Sequence, residues 1–120
     1  MSNNTKLGDF ALNSVTSGTN NTAVGTNSEL NNQIGDNNSF FGAGAGLDTT
    51  SNMNTGIGSS SLGLNKNGEN NTAVGAGSLY NNDSGSNNTV VGTESLFSNT
   101  TGNSNTAVGQ GALGSNTTGG

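Results

Sequence analysis

The stretch "NNTAVGAGSLYNNDSGSNNTVVGTESL", residues 70–96, states one phrase almost twice. Asn71-Thr72-Ala73-Val74-Gly75 returns as Asn88-Thr89-Val90-Val91-Gly92, seventeen positions on. Outward from this pair the phrase continues in both directions. The glycines that close it stand at Gly8, Gly25, Gly42, Gly58, Gly75, Gly92 and Gly109, spaced 17, 17, 16, 17, 17 and 17 apart. Seven copies of one unit, beginning near residues 4, 21, 38, 54, 71, 88 and 105, cover almost all of residues 1–120 as a single repeat domain. Such self-similarity at a fixed period is the mark of a repeat architecture.

Aligned copies give strict columns. Asn4, Asn21, Asn38, Asn54, Asn71, Asn88 and Asn105 form the first. A hydroxyl follows in each: Thr5, Thr22, Ser39, Thr55, Thr72, Thr89 and Thr106. The next position drifts through Lys6, Ala23, Phe40, Gly56, Ala73, Val90 and Ala107. An apolar column comes after it: Leu7, Val24, Phe41, Ile57, Val74, Val91 and Val108. Three residues beyond the closing glycine lies Ala or Ser, usually followed by leucine (Leu12, Leu62, Leu79, Leu96, Leu113). A second glycine recurs at Gly18, Gly35, Gly68, Gly85, Gly102 and Gly119; the third copy, one residue short, lacks it.

A 17-residue period is too short for a helix pair and is no multiple of a heptad. Dense glycine and asparagine oppose helix as well. Thr-Ala-Val and Thr-Val-Val are short β segments bounded by turn residues. The unit therefore predicts one coil of an all-β parallel β-solenoid, or β-roll, of seven coils. A first strand ends at the closing glycine, a second starts near Ser-Leu, and a wider turn ends at the second glycine. Seven coils at the ~4.8 Å strand spacing make a rod roughly 33 Å long.

Composition agrees once order is considered. Only 27% of residues are hydrophobic and 4% aromatic, with 21 glycines and no proline, a profile that in shuffled form would be disordered. In-register stacking instead places Asn over Asn and Thr over Thr, so that side chains hydrogen-bond along ladders. The ladder positions of the clearest copies are Asn21, Asn71, Asn88 and Asn105, Val24, Val74, Val91 and Val108, and Gly25, Gly75, Gly92 and Gly109. The apolar columns are thin, which predicts an isolated chain that gains stability by self-association.

The phrase resembles the Asn-Ser-x-Ala-x-Gly repeats of trimeric autotransporter adhesin heads. The longer unit, most complete in Asn88–Gly102 and Asn105–Gly119, is similar to repeats of phage tail-fibre proteins. That resemblance implies a homotrimeric, elongated, extracellular segment of a cell-surface or virion fibre, with a host-surface receptor or glycan as a partner.

The residues themselves exclude much chemistry. Seven acids against Lys6 and Lys66 give a net charge of −5, without the clustered cations that nucleic acid or anionic lipid demands. No apolar run approaches membrane-spanning length. With no His and no Cys, and with carboxylates scattered over different columns (only Asp36 and Glu69 share one), no acid/base pair or metal site is expected; neither catalysis nor a cofactor follows. Asn-x-Ser/Thr sequons at Asn20, Asn37, Asn70, Asn82, Asn87, Asn99 and Asn116 follow from composition alone. Phe10, Tyr80 and Phe97 form no column in the alignment and are expected to pack at corners or subunit contacts.

One choice remains about the strand. Period-two alternation puts Thr72 and Val74 on one face and Ala73 on the other. The unequal column of Lys6, Phe40 and Gly56 suits a uniform core poorly, which favours burial of threonine and valine, or their use as a subunit contact. The opposite arrangement would present Thr22, Thr55, Thr72, Thr89 and Thr106 beside Val24, Val74, Val91 and Val108 as a flat outer face. Such a face resembles those of ice-binding solenoids, the alternative functional expectation.

Overall fold

The computed structural model describes residues 2–120. Seven three-residue strands follow one another: β1 Thr5–Leu7, β2 Thr22–Val24, β3 Ser39–Phe41, β4 Thr55–Ile57, β5 Thr72–Val74, β6 Thr89–Val91 and β7 Thr106–Val108. They form one parallel sheet in chain order. Register is that of the sequence columns: Thr72 pairs with Thr89, Ala73 with Val90 and Val74 with Val91, and each other neighbouring pair does likewise. The chain is thus an all-β parallel solenoid whose extents are 38 × 20 × 15 Å.

Each strand starts and stops for local reasons. The amide of Thr22 donates to the Asn38 carbonyl at 2.8 Å, and that of Gly25 donates back to the Leu7 carbonyl at 2.7 Å, so a strand is tied to both neighbours. The closing glycine then turns out of the sheet with φ between +120° and +144°. A side chain cannot stand there: a methyl on Gly75 would lie 2.6 Å from the backbone of Gly92.

The second strand expected near Ser-Leu is not formed. That segment is a turn in every coil, and Leu12, Leu62, Leu79, Leu96 and Leu113 hold φ of +50° to +52°. Left-handed backbone costs a leucine about 1–2 kcal/mol. Burial of the side chain returns ~1.5–3 kcal/mol, and Leu62, Leu79 and Leu96 are wholly buried. The same bend aims the amides of Leu79 and Leu96 at Ser95 and Ala112 carbonyls of the following coil, at 3.0 and 2.8 Å. The coils therefore stack through the turns as well as through the strands.

The interior has an apolar and a polar half. Ala23, Phe40, Ala73, Val90 and Ala107 point inward from the strands and meet the leucine column. This corrects the expectation that threonine and valine fill the core: they face outward, and the unequal column is the buried one. Phe40 fits because its own coil carries Gly46 where leucine usually sits, and the next coil carries Gly56 inside the strand. A methyl at either glycine would come within 2.7 Å of the Phe40 ring. Lys6, in the first coil, stays exposed.

The polar half decides which face turns in. Asn21, Asn38, Asn54, Asn71 and Asn88 are wholly buried, as are Asn32, Asn65, Asn82 and Asn99 from later in the unit. Their amides converge: Asn71 and Asn82 both donate to the Gly85 carbonyl, at 2.8 and 2.7 Å. Asn88 and Asn99 do the same for Gly102, both at 3.0 Å. Side-chain carbonyls continue the ladder, Asn71 Oδ1 accepting from the Asn88 amide and Asn88 Oδ1 from the Asn105 amide, at 3.0 and 2.9 Å. Once asparagine points inward, alternation sends its second neighbour inward too and the hydroxyl and valine outward.

Candidate functional site

Two surface features stand out on this scaffold, a regular face and an irregular notch. The face is built by β1–β7. Thr5, Thr22, Ser39, Thr55, Thr72, Thr89 and Thr106 line one column, and Leu7, Val24, Phe41, Ile57, Val74, Val91 and Val108 the next. Columns repeat every ~4.8 Å along the rod and lie about 6.6 Å apart within a strand. Leu7 is 69% and Val108 70% exposed at the two ends, and Phe41, Ile57 and Val91 are above 40% between them. An apolar stripe thus runs the length of the sheet, while Phe10, Ile34, Met53 and Leu113 are exposed outside the strands. Of the ladder residues expected from sequence, the asparagines stand inside, the glycines at the sheet margin and the valines outside.

The notch lies where the repeat is one residue short. Between the buried Asn82 and Gly85 stand two residues; between the equivalent Thr49 and Ser51 stands one. Ser51 takes the place of the second glycine, and its hydroxyl donates to the Gly68 carbonyl at 2.6 Å. It also accepts from Asn54 and Asn65 amides at 3.1 and 3.3 Å. The shortened turn leaves an open notch of about 410 Å³ lined by Asn31, Asp48, Thr50, Lys66 and Asn67. Inside it the Asn31 amide donates to Asp48 Oδ1, and Thr50 donates to the Lys66 carbonyl at 2.8 Å.

Next to this region Glu29 occupies the leucine column. It is wholly buried, Oε1 accepts from the Asn32 amide at 2.8 Å, and Oε2 has no partner. Burial raises its pKa to about 8, while hydrogen bonds from Asn38 and Asn32 pull it the other way. The carboxyl is therefore mostly protonated at neutral pH. Among the described residues, no group of three or more His, Cys, Asp or Glu could hold a metal ion. Among the described residues no helix is long and apolar enough to cross a membrane.

Several site features escaped the sequence reading. Tyr80 and Phe97 do share a column: their rings stack with centroids 5.3 Å apart and planes 11° apart, which corrects the alignment-based expectation. The signal was their identical offset from Gly75 and Gly92. Glu29 was legible as the one charge in the leucine column. Among the sequons, Asn82 and Asn99 are wholly buried, whereas Asn20, Asn37, Asn70 and Asn87 are exposed.

No family model matches the chain, and no curated protein or solved structure matches it. The function is therefore read from this geometry.

Proposed function

We propose that the chain is a structural and adhesive segment of a surface or virion fibre that self-associates as a homotrimer through its threonine/valine face. The observation that carries this reading is the outward apolar column from Leu7 to Val108. Hydrophobic stripes of this length on a polar molecule mark contact surfaces. A side of the rod measures 38 × 15 or 38 × 20 Å, a projected 570 to 760 Å². A standard protein interface covers about 800 Å² per partner, so a stable contact would use the full length of the face. Leu7, Phe41 and Ile57 differ in size along the column, which an interface absorbs by repacking. The buried ladders supply stiffness and the turns supply display.

Light scattering tests this. A trimer is the expected result, with Val74→Asp and Val91→Asp returning the chain to monomer while its circular dichroism is unchanged. A wild-type monomer at micromolar concentration overturns the reading.

The outward, in-register threonine column supports a second reading, an ice-binding face. Here the uneven sizes of Leu7, Phe41 and Ile57 count against it, because a lattice match asks for uniformity. Thermal hysteresis in the wild-type protein, lost in Thr72→Tyr and Thr89→Tyr, would establish it; ordinary freezing ends it.

A further inference from the structure

The stripe accounts for one face of the rod and leaves the notch unexplained. The equivalent columns hold Ser14, Leu64, Asn81 and Ser98 in place of Asp48, and Thr16, Gln33, Asp83 and Thr100 in place of Lys66. Here the one-residue deletion brings a carboxylate from the third coil, Asp48, to the same recess as an ammonium from the fourth, Lys66. Lys66 is one of two cations in a chain of net charge −5. Asn31 already holds one oxygen of Asp48, which orients the carboxylate. Asn31 and Asn67 add further polar side chains to the lining. The volume, about 410 Å³, falls in the range of small-molecule sites, ~300–1,000 Å³.

A ligand that satisfies this lining must offer an anion to Lys66 and hydroxyl donors to Asp48 and the asparagine side chains. A polyhydroxylated ring bearing a carboxylate has both within the span of one residue. We propose that the notch binds an acidic monosaccharide, its carboxylate on Lys66 and its hydroxyls on Asp48, Asn31 and Asn67. The site rests on the adhesive part of the reading above and gives it a ligand class. The solenoid would present it on a rigid wall, so little ordering cost attends binding.

Titration of ¹⁵N-labelled protein with N-acetylneuraminic acid, glucuronic acid, glucose and glycine tests the assignment. Saturable shifts confined to the amides around Asp48, Thr50, Lys66 and Asn67 are expected with the two acidic sugars. Lys66→Met should weaken them about tenfold or more, the loss of one charge-assisted contact. Asp48→Asn should weaken both acidic sugars less, since an amide still accepts from hydroxyls. Spectra of both variants show whether the coil is intact. No shift with either acidic sugar overturns the proposal, as does equal binding of glucose or a preference for glycine. Light scattering on the same samples separates the two ideas: binding by a monomer removes the trimer alone, and a trimer blind to sugars removes the site alone.

Discussion

The coils from Asn71 onward and those between Asn21 and Asn70 build the same rod in different ways. In the later coils the strand asparagine, threonine, valine, leucine and glycine columns keep one residue type, and a second asparagine ladder runs from Asn65 to Asn116, while the first runs through both halves from Asn4 to Asn105. The earlier coils depart at four positions in three columns: Glu29 and Gly46 in the leucine column, Phe40 at the strand centre and Ser51 in place of the second glycine. Three of these breaks answer one another or are locally satisfied. Phe40 fills the room left by Gly46 and Gly56, and Ser51 hydrogen-bonds where glycine would stand. Glu29 alone is left with an unpartnered oxygen. Regular stacking therefore tolerates a large departure when volume and hydrogen bonds are restored within about one coil.

The sharpest way to break the regular half is to add a methyl to a closing glycine. Gly75→Ala places a carbon 2.6 Å from Gly92 in a backbone with φ +132°. Strain of this kind costs about 1–3 kcal/mol before the clash is counted, so about 5 kcal/mol or more is expected in denaturant unfolding. Gly111→Ala, with φ +66° and nothing near the new carbon, should cost only about 1 kcal/mol. Equal effects at the two sites would show that stacking distance does not set the requirement.

The irregular half invites a rescue. Phe40→Ala empties a pocket that two glycines cannot fill and should cost about 4 kcal/mol. Adding Gly46→Leu to it restores the usual pattern, because Gly46 has φ +63°, close to the value leucine adopts in this column. At least half of the loss should return. Gly46→Leu alone should destabilise, since the ring occupies its space. Additive losses in the double variant would refute the compensation.

Glu29 predicts a pH dependence of stability. Its folded pKa of about 8 lies above the ordinary 4.5, so the folded state holds the proton more tightly than the unfolded chain. The favourable contribution is complete below pH 4.5 and is lost as pH rises from there to about 8. The swing is on the order of 5 kcal/mol. Glu29→Leu, which matches the column, should flatten the profile and raise stability at pH 8. A wild-type midpoint that does not fall across this range contradicts a buried carboxyl.

Much of the fold was legible because a stacked solenoid writes its geometry as columns. The strand positions, the parallel register and the closing glycines follow from the period and from β and turn preferences. The candidate face was legible only as a pair of options, since Thr-Ala-Val alternates equally well either way up. Asn71 was legible as a ladder position and Asn82 only as part of a sequon, and the burial of both rests on their meeting at the Gly85 carbonyl. The missing second strand has a similar cause: leucine in a left-handed turn is disfavoured locally and is held there by its place in the core.

By itself, then, the sequence determined the number of strands, their order and which residues stack on which. Only the tertiary structure decided what lies inside. A closed coil this narrow must satisfy its inward glycine carbonyls without water, and buried asparagines do so from two sides. That requirement turns Ala73 inward and leaves Thr72 and Val74 facing out.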